Sequence, residues 1–333
     1  MHSFLPGLPH GSGIAVPAHD NGVTRRGQGR LAHWARGVVS ALVVLVLAGC
    51  AHHINAPERL ADAVPEADYR LRQAVVYSPA EWPEALEADI YRPTAAGPHP
   101  GVLLVHGGGW TRGERGGMQS IAEALAEAGF VVMNISYRFA PAYRFPAQLH
   151  DLQQALRWMR SEAESLALDP ARIAGFGYSA GAHLVSLLSV AEGVEALDAP
   201  FGGPDTRLQA VVAGGTPSDL RRFPGGELVP QFLGGSLQDM PERFALASPL
   251  VHVDGQTPPH FLYHGTQDLL VGIDHAEDLF RALQQAEVKA ELYRMRLRGH
   301  ITAFLTDGEA VERAIDFLRR RMPSSRVNLS ANP

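Results

Sequence analysis

The stretch Gly175-Phe176-Gly177-Tyr178-Ser179-Ala180-Gly181-Ala182-His183-Leu184 sets one serine between two glycines, with the apolar run RIAGF before it and GAHLVSLLSV after it. The run before is short and continuous, as in a strand buried on both faces, and the run after has the length of a helix. A chain that passes from strand to helix this quickly turns sharply, and the residue at the apex takes strained backbone angles. Side chains two positions either side of it would collide, so glycine is wanted at 177 and 181. The stretch therefore predicts a strand, a tight turn carrying Ser179, and a helix.

The rest of the chain repeats this alternation. RQAVVY (72–77), EADIYRP (87–93), GVLLVHG (101–107), FVVMNISY (130–137), LQAVVAGG (208–215), HFLYHG (260–265) and AELYRMRL (290–297) read as strands. Helical spacing marks 117–128, a stretch from about Ala147 to Ser165, and segments near 274–287 and 308–321. Such alternation predicts an α/β fold with a mostly parallel central sheet flanked by helices. Proline, glycine and short apolar clusters break the rhythm at 216–256, which reads as an excursion over the strand ends that lines a pocket. Residues 323–333 read as a frayed tail.

A serine hydroxyl is a weak nucleophile until a base takes its proton. Two predicted strands late in the chain end in candidate partners: HGTQD puts Asp268 on a loop, and RGH puts His300 on a loop before the last helix. Asp274 is the second candidate for the acid, although its position suits the start of the following helix. His106-Gly107-Gly108-Gly109-Trp110 follows the buried strand GVLLV. Consecutive glycines let backbone N–H groups reach a ligand oxygen, so Gly107 and Gly108, with the N–H of Ala180, are the candidate oxyanion donors, and Gly109 could replace one of the glycines. Trp110 and Tyr178 flank these groups and are candidate pocket residues. His106 reads as a brace for the glycine loop, His183 as structural, and Glu114 and Arg115 as solvated charges.

With HGGGW, GYSAGAHL, HGTQD and RGH in this order, the chain resembles α/β-hydrolase carboxylesterases of the hormone-sensitive-lipase-like and feruloyl-esterase-like branch, from about residue 70 to 321. The resemblance implies the α/β-hydrolase fold, with Ser179 as nucleophile, His300 as base and Asp268 as orienting acid. It implies hydrolysis of short-chain carboxylic esters through an acyl-enzyme, with no metal or organic cofactor. That branch usually reads GDSAG where this chain has Tyr178, and its N-terminal helical cap needs more residues than the stretch 51–68 offers. A small or absent cap is expected. An arylformamidase-type amide hydrolase and a catalytically silent surface-binding lipoprotein are the alternatives, and the oligomeric state is open.

The N-terminal region is organised differently. VVSALVVLVLA (38–48) follows Arg25, Arg26, Arg30 and Arg36, and is followed by Gly49 and Cys50. It is short for a bilayer span, which takes about 20 residues, but suits a signal-peptide core. Leu47-Ala48-Gly49-Cys50 resembles the lipobox of bacterial lipoproteins, which implies lipidation of Cys50 and a place in the cell envelope, facing the periplasm or in the outer membrane since Ala51 follows the cysteine. The expected organisation is a signal peptide over 1–50, a tether over 51–68, and a catalytic domain over 69–322. Cys50 is the sole cysteine, so no internal disulfide forms. His52 and His53 lack further nearby ligands for a metal. A net charge of −6 without a recurring basic cluster argues against a nucleic-acid partner.

Overall fold

The computed structural model describes residues 51–58, 66–223 and 225–323. The apolar run, Cys50, residues 59–65 of the expected tether and nearly all of the tail lie outside the described residues.

Nine strands form one sheet in the order β1-β9-β8-β7-β6-β4-β5-β3-β2. They are β1 (His52–Ile54), β2 (Tyr69–Val76), β3 (Glu87–Pro93), β4 (His99–Val105), β5 (Val131–Ile135), β6 (Leu168–Tyr178), β7 (Val211–Gly214), β8 (His260–Gly265) and β9 (Ala290–Met295). Strands β4 to β9 run parallel, and the outer strands β1, β2 and β3 are antiparallel to their neighbours.

The central strands are apolar on both faces because both faces are covered. Along β4, Leu103 and Val105 face a layer containing Leu149, Leu152, Leu184 and Leu279, whereas Val102 and Leu104 face one containing Ile121, Leu125, Val311 and Phe317. The helices α1 (Gln119–Glu127), α2 (Ala147–Ser161), α3 (Ala180–Ser189), α6 (Asp274–Gln285) and α8 (Gly308–Arg321) supply these layers. Between them α4 (Leu228–Leu233), α5 (Pro241–Leu246) and α7 (His300–Leu305) are short. The architecture is the expected α/β-hydrolase type.

Three expectations need correction. His52–Ile54, expected as tether, is a strand paired with Leu292–Arg294 of β9. Three residues carry no readable period, but their partners are plain: His53 Nε2 lies 3.1 Å from Glu291 Oε2, and the Asn55 amide donates to the Ala290 carbonyl at 3.0 Å. The pairing also covers what would otherwise be an open edge at β9. His300 opens a helix rather than sitting on a loop, with the Thr302 hydroxyl accepting the Gly299 N–H at 2.8 Å to cap it. Arg115 is not a free charge, since it bonds Ser136 Oγ at 2.5 Å and pairs with Glu87 and Asp89 at 3.2 Å each.

Candidate active site

Parallel strands end together, so β4, β6, β8 and β9 deliver their following loops to one edge of the sheet, where open α/β sheets place ligands. Ser179 follows β6 with φ 54° and ψ −122°, the strained apex its flanking glycines imply. The glycines have distinct reasons. A Cβ on Gly177 would come within 2.3 Å of the Gly181 backbone, and one on Gly181 within 2.1 Å of the Val105 carbonyl of β4. The turn is anchored where the Ser179 N–H donates to Gly214 of β7 at 2.8 Å.

The three separated side chains meet here. His300 Nε2 is 2.8 Å from Ser179 Oγ, and His300 Nδ1 is 2.6 Å from Asp268 Oδ2. The Leu270 and Val271 N–H groups donate to the other carboxylate oxygen, Oδ1, at 2.9 and 2.8 Å. Burial raises the cost of the Asp268 charge, but hydrogen bonds from His264, His300 and Val271 outweigh it and hold the carboxyl well below the usual carboxylate range. Asp274 plays no part: it begins α6 and pairs with Arg222 at 2.9 Å.

His264 and the clamping role of Tyr178 escaped the sequence reading. His264, at the end of β8, donates from Nε2 to the Val271 carbonyl at 2.8 Å and lies 3.3 Å from Asp268 Oδ2. Its only sequence signal is its place four residues before Asp268. The Tyr178 hydroxyl donates to the His300 carbonyl at 2.5 Å, and its ring packs 5.3 Å from the imidazole. Tyr178 does line the cavity, but it is buried and clamps the base.

The glycine loop lies against the serine: a Cβ on Gly107 would sit 3.2 Å from that of Ser179. Gly108, Gly109 and Trp110 all have positive φ, at 118°, 62° and 62°. Among the described residues, no hydrogen bond takes up the N–H of Gly107, Gly108, Gly109 or Ala180, and all four residues line the cavity. His106 braces the loop through Nδ1 to the Gly107 carbonyl at 2.7 Å and a stacked contact with Tyr137. Trp110 is buried beneath it, stacked on Phe232, and its indole N–H donates to His183 Nδ1 at 3.2 Å. That donor fixes the His183 tautomer, so Nε2–H donates to the Ala247 carbonyl at 2.7 Å. Burial lowers His183 to about 4 and keeps it neutral.

The cavity above Ser179 measures about 560 Å³. The excursion contributes Pro217, Phe223 and residues 225–229 to one wall, and Leu270, Ile301 and Phe304 form another. Among the described residues no cluster of three or more His, Cys, Asp or Glu could hold a metal. Chemically the arrangement offers an oxygen nucleophile, a base, a fixed carboxylate and unpaired amides around one point.

A family model described as BD-FAE matches residues 88–283, more than half of the chain. The chain belongs to the BD-FAE family. Curated relatives include the "Probable carboxylic ester hydrolase LipM" of Mycobacterium tuberculosis, 30% identical over 64% of this chain and 52% of that protein. Esterase LipC of the same organism is 30% identical over 70% of this chain and 61% of that protein. This BD-FAE chain thus spans about half to three-fifths of the length of these relatives. Among solved structures, a truncated carbohydrate esterase from gut microbiota superposes with TM-score 0.69 at 24% identity, covering 78% of this chain and 98% of that one. Thermogutta terrifontis Est2 with butyrate bound gives 0.64 at 23% identity, covering 78% and 97%. These likenesses establish a shared fold.

Proposed function

We propose that this BD-FAE member is a serine hydrolase of the carboxylesterase type, cleaving short-chain carboxylic esters. The observation that carries the reading is the unbroken relay from Asp268 through His300 to Ser179 at the floor of the cavity. His300 takes the proton as Ser179 Oγ attacks the ester carbonyl, and Asp268 holds the imidazole tautomer and stabilises its charged form. The amides of Gly107, Gly108 and Ala180 receive the developing oxyanion. His300 then protonates the leaving alcohol, and water repeats the sequence to release the acid. The names of LipM and LipC, an ester hydrolase and an esterase, agree with this chemistry.

The location belongs to the same proposal: a lipid-modified Cys50 holds the catalytic body at a membrane of the cell envelope. It rests on the apolar run and the Leu-Ala-Gly-Cys stretch. Fatty-acid labelling in cells, lost in Cys50→Ala, is expected; unchanged labelling removes the anchor. For the activity, p-nitrophenyl acetate and butyrate are turned over by the wild type and not by Ser179→Ala. Turnover surviving that substitution refutes the assignment, and a rate on N-formylkynurenine exceeding that on both esters would make the enzyme a formamidase.

A further inference from the structure

The collar around the cavity mouth is unusually apolar for a surface. Leu269 is 99% exposed, Leu305 72%, Ile301 61% and Leu297 50%. They come from neighbouring segments, joined for identifiable reasons. Ile301 and Leu305 lie one turn apart on α7 and share a face. Leu269 adjoins Leu270, which lines the cavity with Ile301 and Phe304. The loops after β8 and β9 are stitched together by Gln267 N–H to Arg298 carbonyl at 2.9 Å and Leu297 N–H to Thr266 Oγ1 at 3.0 Å, which brings Leu297 beside the group. Scattered exposed leucines need no explanation, whereas a cluster rimming a pocket marks a surface that meets something apolar.

The register of β1 identifies what it meets. β1 is antiparallel to β9, with His52 opposite Arg294 and Ile54 opposite Leu292. The chain therefore joins the body at the Met295 end of β9, the edge that carries His300, Asp268 and Ser179. Only Ala51 separates Cys50 from β1, and two residues of fully extended chain reach about 7 Å. Four strand spacings of about 4.8 Å separate β1 from β6, so the join lies on the order of 20 Å from the Ser179 strand. The collar residues follow β8 and β9, two of the strands in that interval, with Leu297 directly after β9. Exposed Arg296 sits beside it, a cation suited to lipid headgroups.

We infer that Leu269, Leu297, Ile301 and Leu305 dock the cavity mouth onto the phospholipid surface in which the lipid-modified Cys50 is held, and that the substrates are esters dissolved in that bilayer. The inference rests on the ester-hydrolase reading for its substrate class, but docking stands independently of catalysis. A 51–68 tether would have let the body turn freely; β1 removes that freedom.

The test uses the full chain reconstituted in phosphatidylcholine vesicles. Tryptophan placed at the collar by Leu269→Trp or Leu305→Trp is expected to add fluorescence that brominated phosphatidylcholine quenches. Gln285→Trp, on the exposed far end of α6, adds fluorescence that it does not. The pair Leu269→Ser and Leu305→Ser is expected to keep its rate on soluble p-nitrophenyl butyrate and to lose about tenfold on hexadecyl butyrate dissolved in the vesicles, read as butyrate released. Equal quenching at collar and control positions, or equal loss on both esters, overturns the inference. So would a solution dimer dispersed by the serine pair, which assigns the collar to a second copy. A wild type inactive on both esters sinks the hydrolase reading alone, because quenching still decides docking.

Discussion

A carboxylate that orients an imidazole must itself be immobile and ionised, and Asp268 is made so by two backbone N–H groups on one oxygen and two histidines near the other. Asp268→Asn keeps the shape but removes the acceptor that selects the tautomer, so kcat is expected to fall on the order of 10,000-fold. Steady-state kinetics on p-nitrophenyl butyrate check this, and a loss below tenfold would show that another group orients His300. Tyr178→Phe leaves the His300 carbonyl without its partner and is expected to lower stability by about 1 kcal/mol, read from urea midpoints. Ser179, Asp268 and His300 were legible because each follows an apolar run that could only be a strand. The roles of Tyr178 and His264 were not, because their partners are backbone carbonyls, and any residue supplies one.

Between elements, close backbone approach decides which substitutions are tolerated. Gly181 lets the first turn of α3 rest on the end of β4, so Gly181→Ala drives a methyl into the Val105 carbonyl and one element must move. A loss of about 3 kcal/mol or more is expected. Gly308, at the start of α8, meets nothing within 4 Å and has ordinary φ. Gly308→Ala is therefore expected to be neutral or stabilising by up to about 1 kcal/mol. Thermal or urea melts of the pair check both, and similar values would contradict the packing described for the elbow. The long strands and helices were legible from periodicity, with β3, β8 and α8 bounded as read. The strand β1 was not, because three residues have no period and its partner lies more than 230 positions away. The single turn α7 was missed because its cap comes from Thr302 rather than from a residue before it.

Over the whole molecule, buried histidines set the response to acid. Burial lowers His150, His183, His260 and His275 to about 4 each, against 6.5 in an unfolded chain. Between those values the unfolded chain binds more protons, so stability falls as pH drops through 6.5 toward 4. Asp268, depressed in the folded state, adds to the loss at lower pH still, as it is protonated. Asp307, pushed by burial up to about 6, works in the opposite direction, as does Asp151, raised by burial. Four histidines outweigh them, and the urea midpoint is expected to be lower at pH 5 than at pH 7.5; an equal or higher midpoint would show that the acids prevail. The sheet brings all of this to one point, since residues 179, 268 and 300 meet only because three parallel strands end at one edge. Rapid quenching of the enzyme with p-nitrophenyl butyrate, followed by peptide mass spectrometry, tests that convergence most directly. The account predicts a butyryl group on the peptide carrying Ser179, formed and lost at rates matching turnover and absent in Ser179→Ala. Turnover with no acylated Ser179, or acylation of a different residue at the turnover rate, would contradict it.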